Sequence, residues 1–142
     1  MKKNVVIDKV FKNIYAIKKL KDKKMCFTFS PSTSKLKSIM LESDVAISAC
    51  GQTLYELARV GVPTIAIAVA NNQLFNVKGW KRRGFIEYAG WYQDKNLFLN
   101  LKRNLKRLSS AKVRADRSRL GRSVIDGKGP RQIVAALLGQ NK

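Results

Sequence analysis

Seven consecutive residues, Thr64-Ile65-Ala66-Ile67-Ala68-Val69-Ala70, carry no charge and no polar alternation. A strand with one wet face alternates apolar and polar side chains, whereas a run like this one is the pattern of a strand covered on both faces of a parallel sheet. Helices must then lie above and below it, and the run belongs at the sheet centre. The segments around it fit that requirement. Val45–Ala49 reads as a strand, followed by a turn at Cys50-Gly51-Gln52 and a helix with Leu54, Leu57 and Ala58 inward, closed by Gly61 ahead of Pro63. Asn71-Asn72-Gln73 opens a helix ending near Gly84, Phe85–Tyr88 is a strand, and Leu97–Leu108 is a helix with a basic side.

Upstream, Val6, Val10, Ile14 and Ile17 recur at helical spacing and predict an amphipathic helix over roughly residues 4–20. Met25–Phe29 is a short β-prone run ended by Ser30-Pro31, and Ser32-Thr33-Ser34 offers N-caps for a helix carrying Leu36, Ile39 and Met40. Pro130 suits the start of a last helix through Ile133 and Leu137. The element order predicts an α/β, Rossmann-like fold: a mainly parallel sheet with helices on both faces and right-handed crossovers. Without a repeat, linker or low-complexity tract, residues 1–142 are expected to form a single domain.

Composition narrows the chemistry. The chain holds 29 Lys+Arg against 9 Asp+Glu, a formal charge of +20, and no histidine. Ser-His-Asp triads, Cys-His dyads and HExxH zinc sites are thereby excluded. Residues 1–44 sum to +7, residues 45–77 to 0 and residues 78–142 to +13, so a neutral heart lies between two basic thirds. Cys26 and Cys50 have neither zinc nor disulfide-framework spacing, which fits a reducing compartment. The apolar runs are too short to span a bilayer and no signal-type segment follows the first residues, so a soluble, cytoplasmic protein is expected.

In an open parallel sheet, ligands bind outside the carboxyl ends of the strands, where helix starts present unpaired N–H groups. Two loops qualify. Ala49-Cys50-Gly51-Gln52-Thr53 combines a glycine that lets backbone approach a ligand with a hydroxyl at a helix start, which suits a diphosphate, and Glu56 could accept from ribose hydroxyls. Thr53-Leu54-Tyr55-Glu56 equally reads as a capping box, which needs no ligand. Asn71, Asn72 and Gln73 place three carboxamides in sequence, each able to donate and accept toward sugar hydroxyls, although one Asn is explained by capping alone. Cys50 lacks a base to activate it and reads as a small packing residue. Trp80, Tyr88, Trp91 and Tyr92 gather around the fourth strand as rim or core aromatics with a stacking platform as the alternative. The Lys/Arg face at 102–107 reads as a solvated helix face.

The run Glu42-Ser43-Asp44-Val45 through Glu56-Leu57-Ala58, then Gly61-Val62-Pro63-Thr64, then Ala70-Asn71-Asn72-Gln73, and later Ile125-Asp126-Gly127-Lys128-Gly129-Pro130, resembles the C-terminal half of nucleotide-sugar enzymes. The resemblance is to the UDP-sugar hydrolases of pseudaminic acid biosynthesis, the SpsG-like proteins and the wider MurG-type group, glycosyltransferase family 28. It covers about residues 25–138. It implies a GT-B C-terminal half-domain that holds UDP, with Gly51, Gln52 and Thr53 on the diphosphate and Glu56 on the ribose. The Ser32 and Thr33 backbone would meet the uracil, and Asn71, Asn72 and Gln73 the sugar and phosphates. Cys50-Gly51 stands where that group has Gly-Gly, and Asn71-Asn72-Gln73 where it often has Asp-Asn-Gln. The family's N-terminal domain, with most catalytic groups, is expected to be absent. With a helix expected first, the opening strand and glycine loop of the C-terminal half are expected to be absent too.

The expected function is a UDP-sugar-binding half of a glycosyltransferase or nucleotide-sugar hydrolase that needs an N-terminal domain, from a partner chain or a longer protein, for catalysis. No catalytic residue is assigned, and no metal or cofactor is expected beyond the UDP-sugar itself. The alternative is a basic nucleic-acid-binding protein, since +20 attracts phosphate backbones whatever the fold. Without RNP1, KH, zinc-finger or recognition-helix signatures, only non-specific nucleic-acid contact is expected. An anionic membrane surface is a further expected partner for the basic helices.

Overall fold

The computed structural model describes residues 2–8, 10–19 and 23–139. Strands β1 (Lys3–Ile7), β2 (Met25–Phe29), β3 (Ala46–Ala49), β4 (Thr64–Ala68) and β5 (Ile86–Trp91) alternate with helices α1 (Ile14–Lys18), α2 (Thr33–Leu41), α3 (Thr53–Val60), α4 (Leu74–Arg82) and α5 (Leu97–Arg107). Two more helices follow, α6 (Ala111–Val124) and α7 (Gly129–Leu137). The fold is α/β and Rossmann-like, with every strand pairing among the described residues parallel. By backbone contacts the chain divides into two compact units, one ending at Glu42 and one beginning at Ser43.

The first unit corrects the expected opening helix. Residues 3–7 form a strand that runs parallel to β2, with Val5 opposite Phe27 and Ile7 opposite Phe29. The β-branched run Val5-Val6-Ile7 is stiff at χ1 and favours the extended backbone, and pairing buries Ile7. The helical spacing of Val6, Val10, Ile14 and Ile17 thus straddles a strand, a loop and a five-residue helix. An opening strand is therefore present, although no glycine follows it before residue 51.

The second unit is a three-stranded sheet in the order β3-β4-β5, with β4 central as expected. Ile65, Ala66 and Ala68 are fully buried. Alternate residues of a strand face opposite ways, and Ile65 packs with Ala89 and with Leu97, Leu101 and Leu108 at α5. The crossover helices α3 and α4 join consecutive parallel strands and so share the other face, where Trp80 packs against Phe85 and Tyr55. A register shift between Ala66 and Ile67 lets β5 bulge beside them. Gly90 takes φ 126° there, a conformation strained for any residue with a Cβ.

Helix α6 falls in a stretch for which the hydrophobic pattern predicts no element. Val113 packs on the core beside Leu108, and the rest of the helix is held largely by other contacts. Gly121 packs so closely that a Cβ would lie 2.7 Å from the Phe85 ring and 2.9 Å from the Ala58 carbonyl. Arg114 donates to the Leu108 and Ser109 carbonyls at 2.9 and 2.8 Å, capping the end of α5. Arg117 donates to the buried Glu87 carboxylate on β5 at 2.7 Å and to the Gly84 carbonyl. Glu87 has one further cationic neighbour, the exposed Arg107 at 3.5 Å.

Removing one partner of a buried pair leaves an uncompensated charge. Arg117→Ala is expected to cost about 3 kcal/mol of stability, read as a lowered urea midpoint. Arg119→Ala, which deletes an exposed pair with Asp116, should cost less than about 1 kcal/mol. Equal losses would show that the Arg117–Glu87 pair does not hold α6 in place.

Candidate functional site

Because β3, β4 and β5 are parallel, the three loops that leave their carboxyl ends emerge at one end of the second unit: residues 50–53, 69–73 and 92–96. The first loop continues the sheet ladder, the Cys50 N–H donating to the Ile67 carbonyl at 3.2 Å. Its own carbonyl is held from below, accepting from the Asn76 carboxamide at 3.1 Å, while the Tyr55 hydroxyl donates to the other end of that carboxamide at 3.3 Å. Asn76 therefore locks the turn between β3 and α3, and sequence reading missed it because an asparagine inside a helix gives no motif. Gly51 is half-buried, and apart from its chain neighbours no atom lies within 4 Å of where a Cβ would stand. Gln52 is exposed and Thr53 is the first residue of α3.

The expected capping box does not form. Gln52, already in helical conformation, occupies the cap position and no side chain caps the helix. A capping box needs an extended residue before the first turn, and Thr53 lies one place too far along. Glu56 is exposed, one turn into α3.

The second loop divides its three carboxamides. Residues 71–73 form a 3-10 turn before α4 rather than the first turn of an α-helix. Gln73 folds back to accept from the Val69 N–H at 2.9 Å, so its oxygen closes the loop. Asn71 and Asn72 are exposed, and neither caps the helix through its side chain. In the third loop Tyr92 N–H donates to the Ala68 carbonyl at 2.9 Å, and Asp94 accepts from the Asn96 N–H at 2.8 Å. Asp94 also sits against the Gly90 bulge, a placement that only the register shift creates.

Ser32 and Thr33 belong to the first unit. Ser32 caps α2, accepting from the Lys35 N–H at 3.3 Å, and Thr33 is exposed at the helix start. The aromatics also separate: Trp80 is buried on the α4 face, whereas Trp91 and Tyr92 lie together at the carboxyl end with ring centroids 5.5 Å apart.

The ionisable groups at this end of the sheet include Cys50, Tyr88 and Asp94. Burial pushes the Cys50 thiol up to about 11. Burial first, then Cys50 and Asp94, raise the Tyr88 phenol above its ordinary value. Among the described residues no three His, Cys, Asp or Glu side chains gather in a way that could hold a metal ion. None of their helices is long and apolar enough to cross a membrane.

The chain is similar to SpsG, the spore coat polysaccharide biosynthesis protein of Bacillus subtilis. It is 27% identical over 125 residues, which is 86% of this chain and 36% of that protein. The chain thus spans about a third of the length of the curated relative it matches, and no family model matches it.

A thiolate is the reactive form of cysteine, and raising the thiol from its ordinary value suppresses it below that raised value. At about pH 8 the native protein is expected to react with one equivalent of a thiol reagent, at the exposed Cys26, and with a second only after denaturation. Fast native labelling of Cys50, located by peptide mapping, would contradict its placement.

Proposed function

We propose that the carboxyl-end loops of the second unit bind the diphosphate and sugar of a UDP-sugar, as the nucleotide-sugar half of a glycosyltransferase or nucleotide-sugar hydrolase. The observation that carries this reading is the open Gly51 turn at the start of α3, locked by Asn76, set at the same sheet end as the exposed Asn71 and Asn72. The similarity to SpsG supports polysaccharide biosynthesis as the setting. In this reading the N–H groups at Gly51, Gln52 and Thr53 meet the diphosphate, where a helix start favours negative charge. Glu56 accepts from the ribose hydroxyls, and Asn71, Asn72 and the NH2 of Gln73 meet the sugar and phosphates. Ser32 and Thr33 are assigned to the uracil by family resemblance alone. In this reading catalytic groups come from a further domain or partner chain, and contact with nucleic acid is non-specific.

Ligand that binds only the native state raises stability by RT ln(1 + [L]/Kd). UDP and UDP-sugars are expected to raise the melting temperature more than ATP at equal concentration. Each phosphate contact contributes roughly −0.9 to the slope of log K against log salt, so UDP binding should weaken with a slope of about −2 or shallower, while DNA and RNA binding collapses toward physiological salt. Salt-resistant nucleic-acid binding without any UDP response would overturn the proposal in favour of a nucleic-acid protein.

Glu56→Gln provides a sharper test because no capping box exists to lose. Affinity for UDP should fall by about 1–3 kcal/mol, the range for a hydrogen bond to a charged group. Urea stability should stay within about 0.5 kcal/mol of the unmodified chain, as for other exposed substitutions. A drop in stability with affinity unchanged would return Glu56 to a purely structural role.

A further inference from the structure

Helix α5 is committed to the sheet on one side only. Leu97 and Leu101 pack toward Ile65 and Ala89, and Asn100 donates to the Ala89 carbonyl at 2.8 Å. Successive residues turn by about 100° in a helix, so Leu99, Lys102, Arg103 and Lys106 project away from that contact, with Phe98 on their flank. All five are exposed, Phe98 by 68% and Leu99 by 63%. From Lys95 to Arg107 the chain has no acidic residue. The Lys102 ammonium lies 4.6 Å from the Phe98 ring centroid, so cation and aromatic share one patch.

The position of this patch matters as much as its composition. Helix α5 begins directly after the loop that leaves the carboxyl end of β5, so Phe98 and Leu99 stand at the same end of the unit as the Gly51 and Asn71 loops. Tyr92 is exposed at that end too. Apolar groups therefore collect at the tip of α5, and cations run back along it.

We propose that this end of the second unit docks on an anionic lipid bilayer, with Phe98 and Leu99 inserted below the head groups and Lys102, Arg103 and Lys106 against lipid phosphates. A nucleic-acid backbone would satisfy the cations but offers nothing to an exposed leucine, whereas an interfacial helix gains from both kinds of side chain. Docking would bring the candidate site to the membrane surface. The inference does not depend on the nucleotide reading, because vesicle binding is measured without nucleotide.

The experiment is co-sedimentation of the full chain with phosphatidylcholine vesicles, with and without phosphatidylglycerol. Binding is expected only to the anionic vesicles. The double variant Phe98→Ser/Leu99→Ser should weaken it about tenfold or more with no loss of charge. Lys102→Glu/Lys106→Glu should weaken it more than Lys35→Glu/Lys37→Glu, which reverses equal charge on the exposed side of α2. Circular dichroism and melting curves of the variants, altered only at exposed positions, should match the unmodified chain. Unchanged binding in the serine variant, or equal losses in the two charge variants, would reduce the effect to bulk charge and overturn the proposal. Tighter, salt-resistant binding of RNA through the same face would overturn it too, as would a dimer that the serine variant dissociates.

Discussion

The second unit depends on keeping β4 dry on both faces. Ile65 must find α5, and Ala66 and Ala68 must find the α3 and α4 layer, or a strand with no charge and only Thr64 as a polar side chain would face water. Parallel pairing on either side follows from the two helical crossovers, and from parallel pairing follows the collection of three loops at one end. On that side Trp80 meets Tyr55 edge-on and Phe85 at a tilt, which joins the three rings in a chain. Site geometry is thus a by-product of where a seven-residue apolar run has to be buried.

Within that geometry the loops differ in what they have left to offer. The turn after β3 is braced through the Cys50 carbonyl, which Asn76 holds. The loop after β4 spends one carboxamide oxygen on its own closure. The loop after β5 spends its acid on the adjoining backbone. In the proposed reading such a frame holds an anionic ligand in one orientation and leaves bond cleavage to groups brought from elsewhere.

Much of the second unit was legible because burial there follows hydrophobic pattern. The apolar run at 64–70 marked the central strand, and Gly61 closes α3 as its position after the last apolar turn suggests. Where other forces decide, pattern failed. At the N-terminus a helical spacing of valines and isoleucines yielded to the β-branched run at 5–7. Helix α6 could not be seen in the sequence because its attachment uses arginine hydrogen bonds and the missing side chain of Gly121, neither of which has a period. The candidate loops were located correctly as turns after strands. The division of labour inside them, with Asn76 as brace and Gln73 as closure, depends on contacts between α3, α4 and the loops that spacing does not encode.

The role of Arg114 and Arg117 changes how the +20 charge should be understood. These two side chains are structural parts, one finishing α5 and the other neutralising the only buried carboxylate among the described residues. Surface redesign toward a lower isoelectric point, for solubility or crystallisation, could draw freely on the exposed lysines of α2. It would have to treat these two arginines as it would treat core leucines, since here guanidinium groups have taken over a task usually given to hydrocarbon.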